Sequence, residues 1–319
     1  MKSGKQELYG KLRSLPKLKG NLMKKVLLCE PNISEGRDQA LVAQVLAPIQ
    51  EAKGIRILDI SSDADHNRSV FTYLGDPEEI LEVTQKMAAK AIELINMEGH
   101  QGSHPRMGAV DVVPFIPVRG MENVEAIEIA RRFGKFLGDL GVPLYYYEDA
   151  ATQPERSSLP VIRKGQYEGL KEKLKDPAWQ PDEGPLLFNP KSGATVTGVR
   201  FPLVAFNVNL RTDDLKIADN IARAVRHING GFRYVRAIGL ALEDQGMVQV
   251  SMNLINYTKT PVPRVLETIR SEAARYGIQI AGTEFVGPVP IGVFDEIMKS
   301  YLQAHDFDLN QIIELALLD

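Results

Sequence analysis

Cysteine occurs once in 319 residues, at Cys29, which rules out an intrachain disulfide and any zinc site built on several thiolates. Cys29 ends the apolar run Val26-Leu27-Leu28-Cys29 and reads as a buried strand residue. No stretch approaches the roughly 18 apolar residues of a membrane helix, and no signal peptide is visible. The expected compartment is therefore the cytoplasm. An excess of one charge is also lacking. With 38 basic against 41 acidic residues the formal net charge is -3, so no global field draws the chain to nucleic acid or a membrane surface. An anionic ligand must be met locally. What remains is ordinary for a globular protein: 44% hydrophobic and 25% charged residues, enough to bury a real core.

Met1 to Leu22 is rich in Lys and Gly, shows no sustained periodicity and reads as a flexible extension (residues 1–22). From Lys25 the pattern becomes regular. A strand over Val26–Cys29 leads into the turn-forming run Pro31 to Gly36, and a helix begins near Asp38 with Leu41, Val42, Val45, Leu46 and Ile49 at helical spacing. Strands follow near Ile55–Ile60 and Ser69–Leu74, then a long helix from Pro77 with Ile80, Val83, Met87, Ala91 and Leu94 on one face. Val110–Val118 predicts a strand, Val124–Leu140 a helix and Leu144–Tyr147 a strand. The order β-α-β-β-α-β-α-β suggests an α/β sandwich with a mixed sheet.

Pro177 to Gly198 reads as a Pro- and Gly-rich connection, after which the rhythm restarts. Phe201–Leu210 predicts a strand, and Thr212 caps a helix carrying Leu215, Ile217, Ile221, Val225 and Ile228 that ends at Asn229-Gly230-Gly231. Phe232–Leu242 and Met247–Leu254 predict an antiparallel pair, Thr260-Pro261 opens a second helix, and Ile278–Val286 is the last strand. This β-α-β-β-α-β order is ferredoxin-like. The expected fold class is thus α/β (α+β), two subdomains over residues 23–199 and 200–319. A cleft between two such halves is a preferred ligand site.

Three segments hold the residues suited to chemistry. His100-Gln101-Gly102-Ser103-His104-Pro105-Arg106-Met107-Gly108 places two of the five histidines in a loop between a helix and a strand, a usual home for a catalytic acid or base. Histidines four apart also invite a metal reading, but Gly102 and Pro105 argue against a helix there, so no metal is expected; a loop-bracing histidine is the plainer alternative. Asp59 to Arg68 gathers Asp59, Asp63 and Asp65 with His66, Asn67 and Arg68, either to orient an imidazole and bind a substrate amine or as a solvated polar loop. It lacks the glycine and distal glutamate of a calcium loop. Gly184 to Gly198 has neither phosphate-loop pattern, and its apolar and small polar character suits a flat heteroaromatic ligand or a plain linker.

Together, Glu30 to Gly36, Asn67-Arg68, His104 to Asp111, Pro114 to Gly120 and Ala205 to Leu210 resemble the glutamate formiminotransferase family, in order, from about Val26 to about Val293. The resemblance implies two α/β subdomains, a homodimer, and transfer of a formimino group from N-formimino-L-glutamate to tetrahydrofolate in histidine breakdown. It implies that His104 is the catalytic residue and that folate meets Gly184, Pro185, Leu186, Leu187, Phe188, Asn189, Pro190, Lys191, Ser192 and Gly193. It leaves no room for the cyclodeaminase to which animal members are fused, so that activity is expected on a separate protein. Animal members carry an aspartate where Ser61 stands, so the residue that orients His104 is left among Asp59, Asp63 and Asp65. Both substrates bear carboxylates, for which Asn67, Arg68 and Arg106 are the expected partners. A formyl donor, N-formylglutamate, or a folate-binding protein without catalysis are the alternatives.

Overall fold

The computed structural model describes residues 25–313 and 315; the extension expected over Met1–Leu22 lies outside them. The first half is a seven-stranded mixed sheet. Its strands are β1 (Val26–Cys29), β2 (Asn32–Ile33), β3 (Arg56–Asp63), β4 (Arg68–Gly75), β5 (Val110–Arg119), β6 (Leu144–Glu148) and β7 (Thr195–Val199). β1 and β2 are two pieces of one lane between β4 and β5, with β3 outside β4. β7 runs parallel to both β5 and β6.

Helices α1 (Gln39–Gln50), α2 (Pro77–Leu94) and α3 (Asn123–Asp139) bury their apolar stripes on the sheet, with Ile49, Ile80, Met87 and Phe133 among the enclosed side chains. Each such side chain contributes about 1.5–3 kcal/mol relative to exposure. The helix starts follow local chemistry: Asp38 accepts from Ala40 N and Leu41 N, and Asp76 accepts from Glu78 N behind Pro77. A second apolar cluster joins Tyr145, Tyr147 and Val196 to the short helices α4 (Leu159–Ile162) and α5 (Gln166–Lys173). Because alternate residues point to opposite faces, Leu144 and Tyr146 belong to the first cluster and Tyr145 and Tyr147 to the second.

The second half carries β8 (Val204–Leu210), α6 (Leu215–Val225), β9 (Val235–Leu242), β10 (Met247–Leu254), α7 (Val262–Ala274), β11 (Ile280–Val286) and α8 (Ile291–Tyr301). Its sheet order β11-β8-β10-β9, antiparallel throughout, is the ferredoxin-like arrangement. The two halves meet over a cleft of about 490 Å³ lined by Leu28, Glu30, Ile116, Phe201, Tyr257 and Pro290 among others. No helix among the described residues is long and apolar enough to cross a membrane.

Several local expectations change. The connection read over Pro177 to Gly198 ends in a strand, β7, fully enclosed between two others. Its threonines hide there because Thr195 Oγ1 donates to Val110 O at 2.7 Å and Thr197 Oγ1 to Val113 O at 2.8 Å. Asp214, not Thr212, caps α6 by accepting from Lys216 N. Ile228, expected on that helix's apolar face, is 85% exposed because α6 stops at Val225 and a short 3₁₀ turn follows. The polar cluster from Asp59 to Arg68 is mostly strand, since β3 runs on to Asp63 and β4 begins at Arg68.

Candidate active site

The loop between α2 and β5 is braced against the β3–β4 hairpin. Ser103 N donates to Asp65 O at 3.1 Å, Asn67 Nδ2 to Gln101 O at 3.0 Å, and a Cβ on Gly102 would lie 2.2 Å from His66 O. Only glycine allows that approach. Asn67 itself is left-handed, at φ 49°, and its Oδ1 accepts from Gly36 N at 3.0 Å. Both ends of its amide are therefore engaged within the chain.

His100 belongs to this bracing. Arg106 Nε donates to His100 Nδ1 at 3.1 Å, which leaves the ring proton on Nε2, facing Asn67 O at 3.0 Å. That pattern defines a neutral tautomer, and burial lowers the His100 pKa in the same sense. The Arg106 fork closes on Glu168 of α5, at 2.9 and 2.6 Å, and donates as well to Gln166 Oε1 and His100 O. With its side chain only 8% exposed and its donors held by the chain, Arg106 ties the loop to α5.

His104 has different company. Its Nε2 meets Arg68 Nη1, and the other terminal nitrogen of Arg68 donates to Asn32 Oδ1. β2 sets this up: Asn32 sits opposite Val70 on β4 and Val112 on β5, between the strands that carry Arg68 and Asp111. Burial first, then the charges of Arg68 and Arg163, push the His104 pKa down to about 4. The imidazole is thus neutral at pH 7. Arg68 has no carboxylate in salt-bridge contact among the described residues, and burial takes its pKa down to about 10.

The nearby acid is spoken for. Asp111, 1% exposed, pairs with Arg163, and its Oδ1 accepts from Met107 N at 2.9 Å. Arg163 is a site residue that the sequence pattern did not single out. It follows α4, 52 positions from its partner, and nothing in its neighbours marks it.

The three aspartates expected to orient His104 do not touch it. Asp63 holds His66, accepting from its backbone N at 2.7 Å and from Nδ1 at 3.0 Å, and this holds its own pKa down. His66 in turn stands edge-on to His104, ring centroids 5.8 Å apart. Asp65 contributes its carbonyl to Ser103, and Asp59 lies on β3 opposite Thr72. Arg68 is the side chain that meets a ring nitrogen of the catalytic candidate.

The segment from Gly184 to Gly193 starts against Gly138 of α3, and a Cβ on Gly184 would meet Val142 O, just beyond that helix, at 2.4 Å. Leu186 and Leu187 are exposed, while the Phe188 ring sits 5.5 Å from Tyr167. The segment then passes under the His104 loop: Met97 N donates to Lys191 O and Ala109 N to Ser192 O, both at 2.9 Å. Gly193, at φ 67°, brings its Cα so close that a Cβ would lie 2.2 Å from Met107 O. Gly193→Ala should therefore cost about 1–3 kcal/mol and lower turnover by shifting Met107 and Asp111. Gly246→Ala, at φ 59° but in open space, is the control, with a smaller loss of Tm and unchanged turnover. Equal effects of the two would sink the assignment of Gly193 to the site.

Of the six buried side-chain atoms without a hydrogen-bond partner among the described residues, four belong here: Arg68 Nε, His104 Nδ1, Arg163 Nε and Ser192 Oγ. Buried polar groups left open at one place mark a polar ligand site.

Residues 26–200 match the N-terminal subdomain of the formiminotransferase domain, and 205–317 match the formiminotransferase domain. The glutamate formimidoyltransferase of Streptococcus pyogenes is 45% identical over 298 residues, 93% of this chain and all of that relative. That of Thermoplasma acidophilum is 43% identical over 90% of this chain and 95% of its own length. The formimidoyltransferase-cyclodeaminase of Dictyostelium discoideum is 41% identical over 84% of this chain but only 51% of its own length. Among solved structures, a microcompartment protein of Desulfitobacterium hafniense aligns over 85% of this chain and 98% of its own, at 8% identity and a TM-score of 0.23, too low to bear on fold or function. Both halves of the chain and full-length relatives agree, and the chain belongs to the formiminotransferase family.

Proposed function

We propose that this chain is a glutamate formimidoyltransferase, moving the formimino group of N-formimino-L-glutamate to N5 of tetrahydrofolate in histidine degradation. The observation that carries this reading is a neutral imidazole, His104, in contact with a guanidinium that has no carboxylate of its own among the described residues. A donor with two carboxylates supplies what Arg68 lacks, and the imidazole supplies the proton transfers.

The chemistry balances on one histidine. N5 attacks the formimino carbon, the C=N electron pair moves to the imino nitrogen, and His104 accepts the proton released from N5. The tetrahedral carbon then expels the glutamate nitrogen, to which His104 returns the proton. Free glutamate and 5-formiminotetrahydrofolate leave. Direct transfer between bound substrates needs no acyl-like enzyme intermediate, and holding both reactants supplies much of the rate. Tetrahydrofolate is the co-substrate, and no metal takes part in this scheme.

Roles divide accordingly. Arg68 takes a substrate carboxylate, and Arg106 and Asn67, expected as substrate contacts, are better used as braces for the loop. Folate is assigned to Gly184 through Gly193, where Leu186, Leu187 and Phe188 offer apolar surface beside the His104 loop. A homodimer in the cytoplasm completes the reading.

The test is turnover of tetrahydrofolate with N-formimino-L-glutamate and, separately, with N-formyl-L-glutamate. The reading expects a clear preference, in kcat/KM, for the formimino donor. Preference for the formyl donor would rename the reaction, and folate binding without turnover of either would end the enzyme reading.

A further inference from the structure

In the free protein neither nitrogen of His104 is available. With a guanidinium N–H directed at Nε2, that nitrogen is the acceptor and the ring proton sits on Nδ1, which is buried without a hydrogen-bond partner among the described residues. A base in this condition cannot take a proton from a substrate. The cap is held weakly for a buried cation: both of its acceptors, Asn32 Oδ1 and the imidazole, are neutral, and Arg68 Nε has none. A carboxylate gives a guanidinium two charge-assisted bonds, each roughly twice as strong as a neutral one.

We propose that Arg68 is a substrate-operated latch. The free enzyme keeps the guanidinium on His104 Nε2, and a carboxylate of the amino-acid donor draws it off, opening Nε2 for proton transfer. The inference rests on the reading of the donor as a glutamate derivative. It makes the base usable only when the donor is in place, so tetrahydrofolate alone meets an inactive imidazole.

The groups around His104 define what should change. Arg68 on β4 and Arg163 after α4 face it as cations, Asp111 on β5 as an anion, and His66 from the hairpin turn stands edge-on with Asp63 behind it. Glu30, at the end of β1, acts on Arg68 but is itself paired with Arg200. His100 is turned away, held by Arg106 and Asn67. Of these, Arg68 alone is in direct contact with the ring nitrogens and free of a carboxylate, so donor binding acts through it. Removing a cation from Nε2 and adding a carboxylate nearby both favour the protonated ring, so its pKa must rise.

The experiment is a ring-NMR titration of the full chain, whose five histidines are few enough to assign with a His104→Gln variant. The free protein should show His104 titrating near 4, and saturating L-glutamate should move it up by about 1 unit or more. In Arg68→Gln, with glutamate raised until calorimetry shows the variant saturated, the free curve should already lie higher and glutamate should move it by well under half of the wild-type shift. Kinetically, the acid limb of kcat should lie at higher pH than that of kcat/KM in the wild type, since the two report bound and free enzyme. Turnover with a His104 curve that bound glutamate leaves in place, or with the full shift retained in Arg68→Gln, overturns the latch alone. A protein that neither binds glutamate nor turns over the formimino donor overturns both the latch and the reading beneath it.

Discussion

His104→Ala should lower kcat by about 10²–10⁴-fold while leaving the fold and the binding of both substrates close to wild type. The expectation of a purely kinetic loss comes from what the ring touches. Among the described residues the one side chain it hydrogen-bonds is Arg68, it is partly exposed, and the loop around it is held by His100, Asn67 and Ser103 rather than by His104. Deleting the imidazole therefore removes the proton carrier and leaves the frame. Losing one neutral acceptor should not weaken the grip of Arg68 on a carboxylate. Measured together, kcat, calorimetric binding of glutamate and folate, and Tm separate these effects. A variant with wild-type kcat would remove His104 from the mechanism.

Asp111→Ala should do the opposite, damaging the frame first. The carboxylate is buried, pairs with Arg163 and accepts the Met107 N–H that precedes β5. Truncating it leaves a largely buried guanidinium uncompensated, which costs about 3–5 kcal/mol when one member of such a pair is removed. The drop in Tm should be about 5–8 °C for a chain of this size. Asp111→Asn keeps an acceptor for Met107 but loses the charge, so it should fall between alanine and wild type. Turnover should fall in both, because Arg163 and the His104 loop lose their shared anchor. An Asp111→Ala protein melting within about 2 °C of wild type would mean that the pair contributes little and that another contact holds the loop.

Much of the first layer was legible because local and global signals agree there. Apolar spacing marks α2, and Asp76-Pro77 marks its start by capping chemistry that depends only on neighbouring residues. The second-half sheet order followed from alternation and from turns at Gly230 and Gly246, both left-handed in the structure. β7 carries no such local signal, because Thr195 and Thr197 look like loop residues until β5 supplies carbonyls to receive their hydroxyls. α4 and α5 are too short for periodicity to reveal, yet they carry Arg163 and Glu168 to the site.

The candidate site was legible in the same uneven way. His104 and Arg68 stand out by type and setting, and the structure brings them together across 36 positions. Their tie to Asn32 depends on the two-residue strand β2 lying between β4 and β5, which no local pattern announces. Arg106 looked equal to Arg68 as a carboxylate partner. Only the bidentate contact with Glu168, 62 positions away, turns it into a brace.

The most direct test of the central claim follows the atoms. N-formimino-L-glutamate labelled with ¹³C at the formimino carbon and ¹⁵N at the imino nitrogen would be incubated with the protein and tetrahydrofolate, and the products analysed by mass spectrometry. The account predicts that both labels appear together on the folate and that unlabelled glutamate is released in equal amount. Glutamate released without labelled folate, or no reaction with both substrates bound, would contradict it.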